Sequence, residues 1–222
     1  MNKYDIGMAG TFVLLLKNDE GHVLVMDPYN EEVGYQVPAL DGVDIVSCSH
    51  GHMDHANLAA IVNKDYVLLE KQGNYEGLGF SIQHLATYHD DNKGAKRGEN
   101  LITLIETEGI RLCHCGDLGH LLSAEQVQAL GKVDVLMIPV GGLFTIDAKQ
   151  AAQVVDAIGA KIVIPMHYAR EECRYDLAPV EDFLEEMKKS EYAISMYHDS
   201  VMKLDGYTMP KRAKVYVMES KY

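Results

Sequence analysis

Basic residues are scarce in this chain: 20 Lys and Arg stand against 33 Asp and Glu, a formal charge of −13 over 222 residues. A surface that acidic repels phosphate backbones, which makes nucleic acid a disfavoured partner, although one local basic patch would escape the argument. Cysteines are few as well. Cys48, Cys113, Cys115 and Cys173 show no Cys-x-x-Cys spacing, and reduced thiols in a cytoplasmic protein are expected. No apolar run reaches the length of a membrane span. The run Phe12 to Leu16 is too short for the core of a secretory leader, and Asp5 precedes it. Internal repeats, low-complexity tracts and linkers are also missing.

What remains is an ordinary globule. Hydrophobic residues make up 47% and charged residues 24%, the proportions of a soluble domain. The length suits a single domain, residues 1–222, large enough to bury a core without staples.

The chemistry concentrates in Ser47-Cys48-Ser49-His50-Gly51-His52-Met53-Asp54-His55. Imidazole and carboxylate are suitable ligands for zinc, manganese or iron. The apolar run Asp44–Cys48 reads as a buried strand and Asn57–Val62 as the start of a helix, so the cluster sits on a strand-to-helix turn. His50 and His52, being alternate residues, leave the loop in similar directions. Asp54 and His55, being adjacent, diverge. Two divergent ligand pairs on one turn suggest two metals. The plain alternative is a set of loop histidines with Asp54 capping the helix.

Further candidates follow where apolar runs end. Thr11–Lys17 and His22–Asp27 flank Asn18-Asp19-Glu20-Gly21 and read as a hairpin. His22 reads as a half-exposed strand residue. Asp27 is either a support behind a metal site or a turn former. Residues 29–43 read as a loop and Gln72–Gly79 as a turn. Phe80–Thr87 is a strand that delivers His89 into a polar loop, with His84 as a structural residue within it. Residues 92–98 carry Lys93, Lys96 and Arg97 in an acidic protein. They form either an anion-holding loop or a solvated turn. A second hairpin, Asn100–Glu106 with Ile110–Cys115, ends in Gly116-Asp117-Leu118-Gly119-His120, where glycine lets a carboxylate approach closely. His114 and His120 read as neighbours of a site. Ser123 opens a helix through a capping box, and a second helix spans Asp147–Ile158. The strand Lys161–Met166 delivers His167. Pro179–Lys189 reads as a helix, followed by short strands. His198, in a looser polar context, is the rival to His167.

His50-Gly51-His52-Met53-Asp54-His55, followed in order by His89, Asp117 and His167, resembles the signature of the metallo-β-lactamase superfamily of metal-dependent hydrolases. The stretches 116–120 and 164–168 are most similar to the branch near the ascorbate-phosphate lactonase and related bacterial hydrolases. The resemblance implies an α/β four-layer αββα sandwich. It implies two divalent ions, zinc by default with manganese or iron accepting the same ligands. His50, His52 and His89 would hold one, Asp54, His55 and His167 the other, and Asp117 would bridge them. A shared hydroxide would then attack a small ester, lactone or phosphoester, an anionic one where the 92–98 loop holds its charge, with Asp54 and Asp117 as the catalytic carboxylates. Tyr168, Arg170 and Lys93 are candidate substrate contacts. Flavodiiron relatives tend to carry Glu where His52 stands and add a flavin domain. Nucleic-acid-processing relatives add a domain or arm, and no segment here suggests either. A non-catalytic metal-binding or ligand-sensing module and a redox di-iron enzyme are the alternatives.

Overall fold

The computed structural model describes residues 4–9, 13–36, 39–204 and 208–219. Thr11 and Phe12, named in the strand and leader readings, and residues 37 and 38 of the 29–43 loop reading lie outside them. Two sheets face each other. One has six strands in the order β13 (Val201–Leu204), β1 (Tyr4–Ala9), β2 (Val13–Lys17), β3 (Val23–Met26), β4 (Ile45–Ser47) and β5 (Val67–Leu69). The other has eight, in the order β12 (Ala193–Tyr197), β14 (Lys214–Met218), β11 (Ile162–Met166), β10 (Val135–Pro139), β9 (Ile110–His114), β8 (Glu99–Thr107), β7 (Phe80–Tyr88) and β6 (Gly73–Gly77).

Side-chain alternation builds the layers. In β2 and β3, Leu14, Leu16, Leu24 and Met26 join the core between the sheets, while Val13 and Val25 join a second cluster on the outer face. That is the period-2 pattern of a strand. β10 and β11 are buried along their whole length, as parallel strands covered on both faces are. The α-helices are α1 (Ala124–Leu130), α2 (Ala148–Ile158) and α3 (Val180–Met187). α1 and α2 open with the reciprocal caps Ser123/Gln126 and Asp147/Gln150, each worth about 1 kcal/mol. α2 buries Ala151, Val154 and Val155 and packs on α3 and β10.

The outer face of the six-stranded sheet is covered differently. Tyr29, Val33, Tyr35, Leu40, Ile61 and Leu177 pack over Val13, Val25 and Val46. Among the described residues, the segments that carry most of them contain two 3₁₀ turns, Glu31–Val33 and Leu58–Ala60, and no α-helix. The helix expected from Asn57 is therefore a single turn. Asn57 makes no cap hydrogen bond, and its side-chain amide donates to the Tyr29 carbonyl. Ile61 pairs with Leu40 as an isolated bridge, which pulls the chain extended. The turn expected over 72–79 is largely strand β6, paired antiparallel with β7. Its turn is confined to Leu78 and Gly79, which both have positive φ.

Strand direction places the site. β7 and β9 are each antiparallel to β8, and β9, β10 and β11 are parallel. Their C-terminal ends thus share one rim. In the facing sheet, β3 and β4 are parallel to each other. Asp27, the 49–55 turn, His89, Asp117 and His167 each follow one of these strands.

Candidate metal centre

Each donor leaves a strand end under tight local control. Gly116 has φ 53°, and a Cβ there would lie 2.4 Å from Asn100 Oδ1 and 2.5 Å from Ser49 Cβ. Only glycine fits. Asn100 Oδ1 then accepts the Asp117 N–H at 2.9 Å, and the Asn100 amide donates to Cys115 O and Thr87 Oγ1. Gly119 is equally constrained, since a Cβ would meet the backbone of His89 and Asp90 at 2.3 Å. Asp27, Leu143 and His167 have positive φ without being glycine. Such backbone strain persists only where surrounding structure holds it. At His167, the Gly141 N–H donates to the His167 carbonyl at 2.9 Å.

Six of the seven expected donors converge. His55 Nε2 lies 3.3 Å from Asp117 Oδ1, while His89 Nε2 and His167 Nε2 lie 3.1 and 3.4 Å from Asp117 Oδ2. The His50 ring stands 4.4 to 4.8 Å from the rings of His55, His52 and His89. His50, His52 and His89 form one compact donor set, and His50, His55 and Asp117 another, with donor atoms within 4.8 Å of each other. His55, His89, Asp117 and His167 are buried and His52 is exposed.

Asp54 is the exception. It is half-buried and belongs to neither compact set. Residues 52–55 form a tight turn in which His52 O accepts the N–H groups of His55 and Ala56. Asp54 lies near the Tyr175 phenol, whose pKa is raised by burial and by Asp54 and other acids.

Asp27 supplies the order behind the rings. It is buried, and it accepts Ser49 N–H at 2.7 Å, Ser49 Oγ–H at 2.7 Å and His55 Nδ1–H at 2.9 Å. The Ser49 hydroxyl has one proton, and Asp27 takes it. His50 Nδ1, 3.0 Å from Ser49 Oγ, must then be the donor. In its neutral form each of the His50 and His55 rings therefore carries its lone pair at Nε2. His89 does the same, because its Nδ1 donates to Phe144 O at 3.1 Å. Asp27 is thus a support rather than a turn former.

Charge follows from this packing. Burial opposes the Asp27 carboxylate, but His55, His114 and His50 outweigh it and bring its pKa to about 2. Burial likewise opposes ionised Asp117, and His167 with His55 holds it well below the usual carboxylate range. Burial would lower His55, yet Asp117 and Asp27 raise it well above the usual histidine value. His50 is pushed down to about 3 by burial and by His55. Burial also lowers His114, whose Nδ1 accepts the Gly116 N–H.

These donors fit divalent metal. Asp117 carboxylate oxygens stand within 3.4 Å of the Nε2 atoms of His55, His89 and His167, an arrangement that needs a proton or a cation between each pair. His50 Nε2 and Asp117 Oδ1 are buried without a hydrogen-bond partner, a cost that a cation would remove. A cavity of about 760 Å³ opens beside them, lined by Ser49, His50, His52, Lys71, Arg97 and Glu99 among others.

The remaining candidates separate. His84 uses both ring nitrogens, on Ser47 Oγ and Lys71 O, at 2.9 Å. His198 is exposed and pairs with Glu219 at 2.8 Å, away from the cluster. His22 is half-buried beside Asp44. His120 binds Leu121 O and accepts Tyr88 N–H. Tyr168, read as a substrate contact, is a member of the buried core. Arg170 is half-buried and Lys93 exposed. The 92–98 loop is not an open anion nest, because Asp90 fills it. Its carboxylate accepts the backbone N–H groups of Asn92, Gly94, Lys96 and Arg97 at 2.7 to 3.0 Å. Burial opposes its charge, but those four N–H groups bring its pKa to about 2. Asp90, Asn100, Ser49 and Phe144 were not singled out from sequence. Only Asp90, two residues ahead of Asn92 in a polar loop, carries a signal there, that of a side chain bonding backbone nearby.

Two facing sheets, flanking helices and a rim of histidine and aspartate define a metallo-β-lactamase fold with a site suited to metal. Residues 8–167 match the family model described as a beta-lactamase superfamily domain. The chain belongs to that superfamily. It is 33% identical to a metallo-β-lactamase superfamily protein of Thermotoga maritima, with a TM-score of 0.79 over 98% of this chain and all of that one. A UPF0173 metal-dependent hydrolase of Nanoarchaeum equitans (strain Kin4-M) is 31% identical over 170 residues, 65% of this chain and 75% of that one. Another, of Methanoculleus marisnigri, is 28% identical over 167 residues, 65% of this chain and 73% of that one. Among the described residues no helix is long and apolar enough to cross a membrane.

Proposed function

We propose that this protein is a dinuclear metal-dependent hydrolase acting on a small ester, lactone or phosphoester. The observation that carries the reading is the Asp117 carboxylate, within 3.4 Å of three imidazole nitrogens whose rings come from three different strand ends. His50, His52 and His89 would hold one ion, and His55 and His167 the other, with Asp117 reaching both and Asp54 completing the second set once the 52–55 turn brings its carboxylate inward. Zinc suits this donor set, and manganese and iron accept it. When bound, the pair supplies an acidified water and a Lewis acid for the scissile bond.

The chain's own residues supply the rest. Asp117 offsets the repulsion between two neighbouring cations. Asp27, through Ser49 and directly, holds His50 and His55 with Nδ1–H turned away from the cluster, and Phe144 O does so for His89. Asp54, half-buried, would accept a proton from the attacking water and return it to the leaving oxygen. The relatives described as metal-dependent hydrolases support the reaction class.

The test is metal content of the purified protein together with an ester, lactone and phosphoester panel. Two ions per chain and turnover on at least one class are expected, with turnover lost in His167→Ala and Asp54→Ala while each stays folded. Less than one ion per chain and no turnover after metal loading would refute the reading. Full metal loading without turnover would make the site a binding module.

A further inference from the structure

We propose that Arg97 selects the substrate, by binding an oxyanion, carboxylate or phosphate, on the part of the molecule that is not cleaved. The inference rests on the hydrolase reading and adds to it the class of substrate and the residue that recognises it. Arg97 lines the same cavity as His50 and His52, and it is held there before any ligand arrives. One guanidinium nitrogen donates to Leu143 O at 3.2 Å, and the group stacks over the Phe144 ring at 5.3 Å. The backbone is fixed too, since the Arg97 N–H donates to Asp90 at 2.8 Å. Phe144 in turn accepts His89 Nδ1–H, which ties the guanidinium to the ring it stands behind.

The other cations of the loop do not share this setting. Lys96 pairs with Asp91 at 3.2 Å, and Lys93 is exposed and outside the cavity lining. Among the described residues no carboxylate lies within ion-pair distance of the Arg97 guanidinium. What sets it apart from the other arginines is its place in the wall of the cavity beside His50 and His52. A half-buried, anchored guanidinium without a counter-ion, beside a histidine cluster, is prepared for an anion that arrives with the substrate. The cavity is also lined by Lys71 and by two exposed acids, Glu70 and Glu99. Its wall is therefore balanced in charge, against an acidic whole. The guanidinium fork matches carboxylate and phosphate alike. It lowers KM for substrates that carry such a group and leaves the chemical step to the cluster.

The test compares two esters with a common leaving group, p-nitrophenyl hydrogen succinate and p-nitrophenyl butyrate, on metal-loaded wild type, Arg97→Met and Arg97→Lys. The wild type is expected to favour the anionic ester in kcat/KM by roughly 10-fold to 100-fold, the range of a charge-assisted hydrogen bond. In Arg97→Met that ratio falls towards one, through KM rather than kcat. Arg97→Lys keeps part of it, since the charge stays and the fork is lost. A wild-type ratio near one, or a ratio unchanged in Arg97→Met, overturns the proposal. Failure of the hydrolase reading shows separately, as no turnover of either ester. In that case NMR titrations with succinate and with methyl phosphate, at matched metal content, decide. A Kd at least fivefold weaker in Arg97→Met for one of the two anions sustains the proposal and says which anion is preferred, and equal Kd values for both overturn it.

Discussion

Replacing Asp27 by asparagine tests whether histidine tautomers set the metal affinity of this site. The carboxylate accepts three hydrogen bonds, two from Ser49 and one from His55 Nδ1. An amide can imitate only one oxygen. With its carbonyl on Ser49 N–H, its NH₂ meets both Ser49 Oγ and His55 Nδ1. His55 Nδ1 must then accept, which moves its proton to Nε2 and towards Asp117. Ser49 must give its proton to His50 Nδ1, which moves the His50 proton to Nε2 as well. One substitution with almost no change in shape therefore removes two lone pairs from the site. The carboxylate's own pKa, brought down to about 2, marks a preference for the charged form of about 2 kcal/mol. Loss of a residue that orients metal-bound histidine costs ~10-fold to 100-fold in affinity, the same size. Competition for zinc with a chromophoric chelator at pH 7.5 is expected to show Asp27→Asn weakened by that factor, while circular dichroism stays unchanged. Affinity within threefold of wild type, in a variant that is folded, would refute the tautomer argument.

Further outcomes are expected. In metal-free protein Asp27 contributes about 2 kcal/mol that is present above its unfolded pKa near 4 and lost as pH falls towards 2. Urea midpoints measured from pH 6 to 2 should drop over that window in wild type and less in Asp27→Asn. His55, with its pKa raised, works the other way. Its contribution is present below about 6.5 and fades as pH rises through the higher folded value, so metal-free His55→Gln should lose less stability at alkaline pH than at pH 6. Gly116→Ala forces a positive φ on alanine and presses a Cβ onto Asn100 and Ser49; a loss of about 3 kcal/mol by urea unfolding is expected, and a loss under 1 kcal/mol would contradict the close packing. Asp90→Ala removes the acceptor of four backbone N–H groups; amide exchange at Asn92, Gly94, Lys96 and Arg97 should accelerate at least tenfold, and unchanged protection would show that the loop holds itself.

Much of the frame can be read from residue order because its causes are local. The capping boxes at Ser123 and Asp147 are contained in four residues each, and the structure has both. The apolar runs that end at His89, Asp117 and His167 are the strands β7, β9 and β11. Misreadings arise where a distant partner overrides a local signal. Gly73 and Gly77 argue for a turn, yet β7 offers a paired edge and draws them into β6. Asn57–Val62 looks like the start of a helix, yet Tyr29 O, 28 residues before Asn57, takes the Asn57 amide, and Leu40 takes the backbone at Ile61.

The same distinction divides the site. His-x-His-x-Asp-His names atoms that can bind a metal, but a histidine has two nitrogens, and the motif does not say which is free. That choice is made for His55 by Asp27, 28 residues earlier, and for His89 by the carbonyl of Phe144, 55 residues later. A backbone carbonyl has no residue-type signature, so Phe144 could not be singled out from sequence. Asp27 had a signature that suited a turn equally well. Asp54 shows the converse. It sits inside the motif, yet the 52–55 turn leaves it half-buried and outside both compact donor sets. Membership of a motif fixes a residue's position along the chain, while the direction its donor faces depends on contacts from elsewhere. For this protein the informative substitutions are therefore those, such as Asp27→Asn, that keep every ligand and change only where the protons sit.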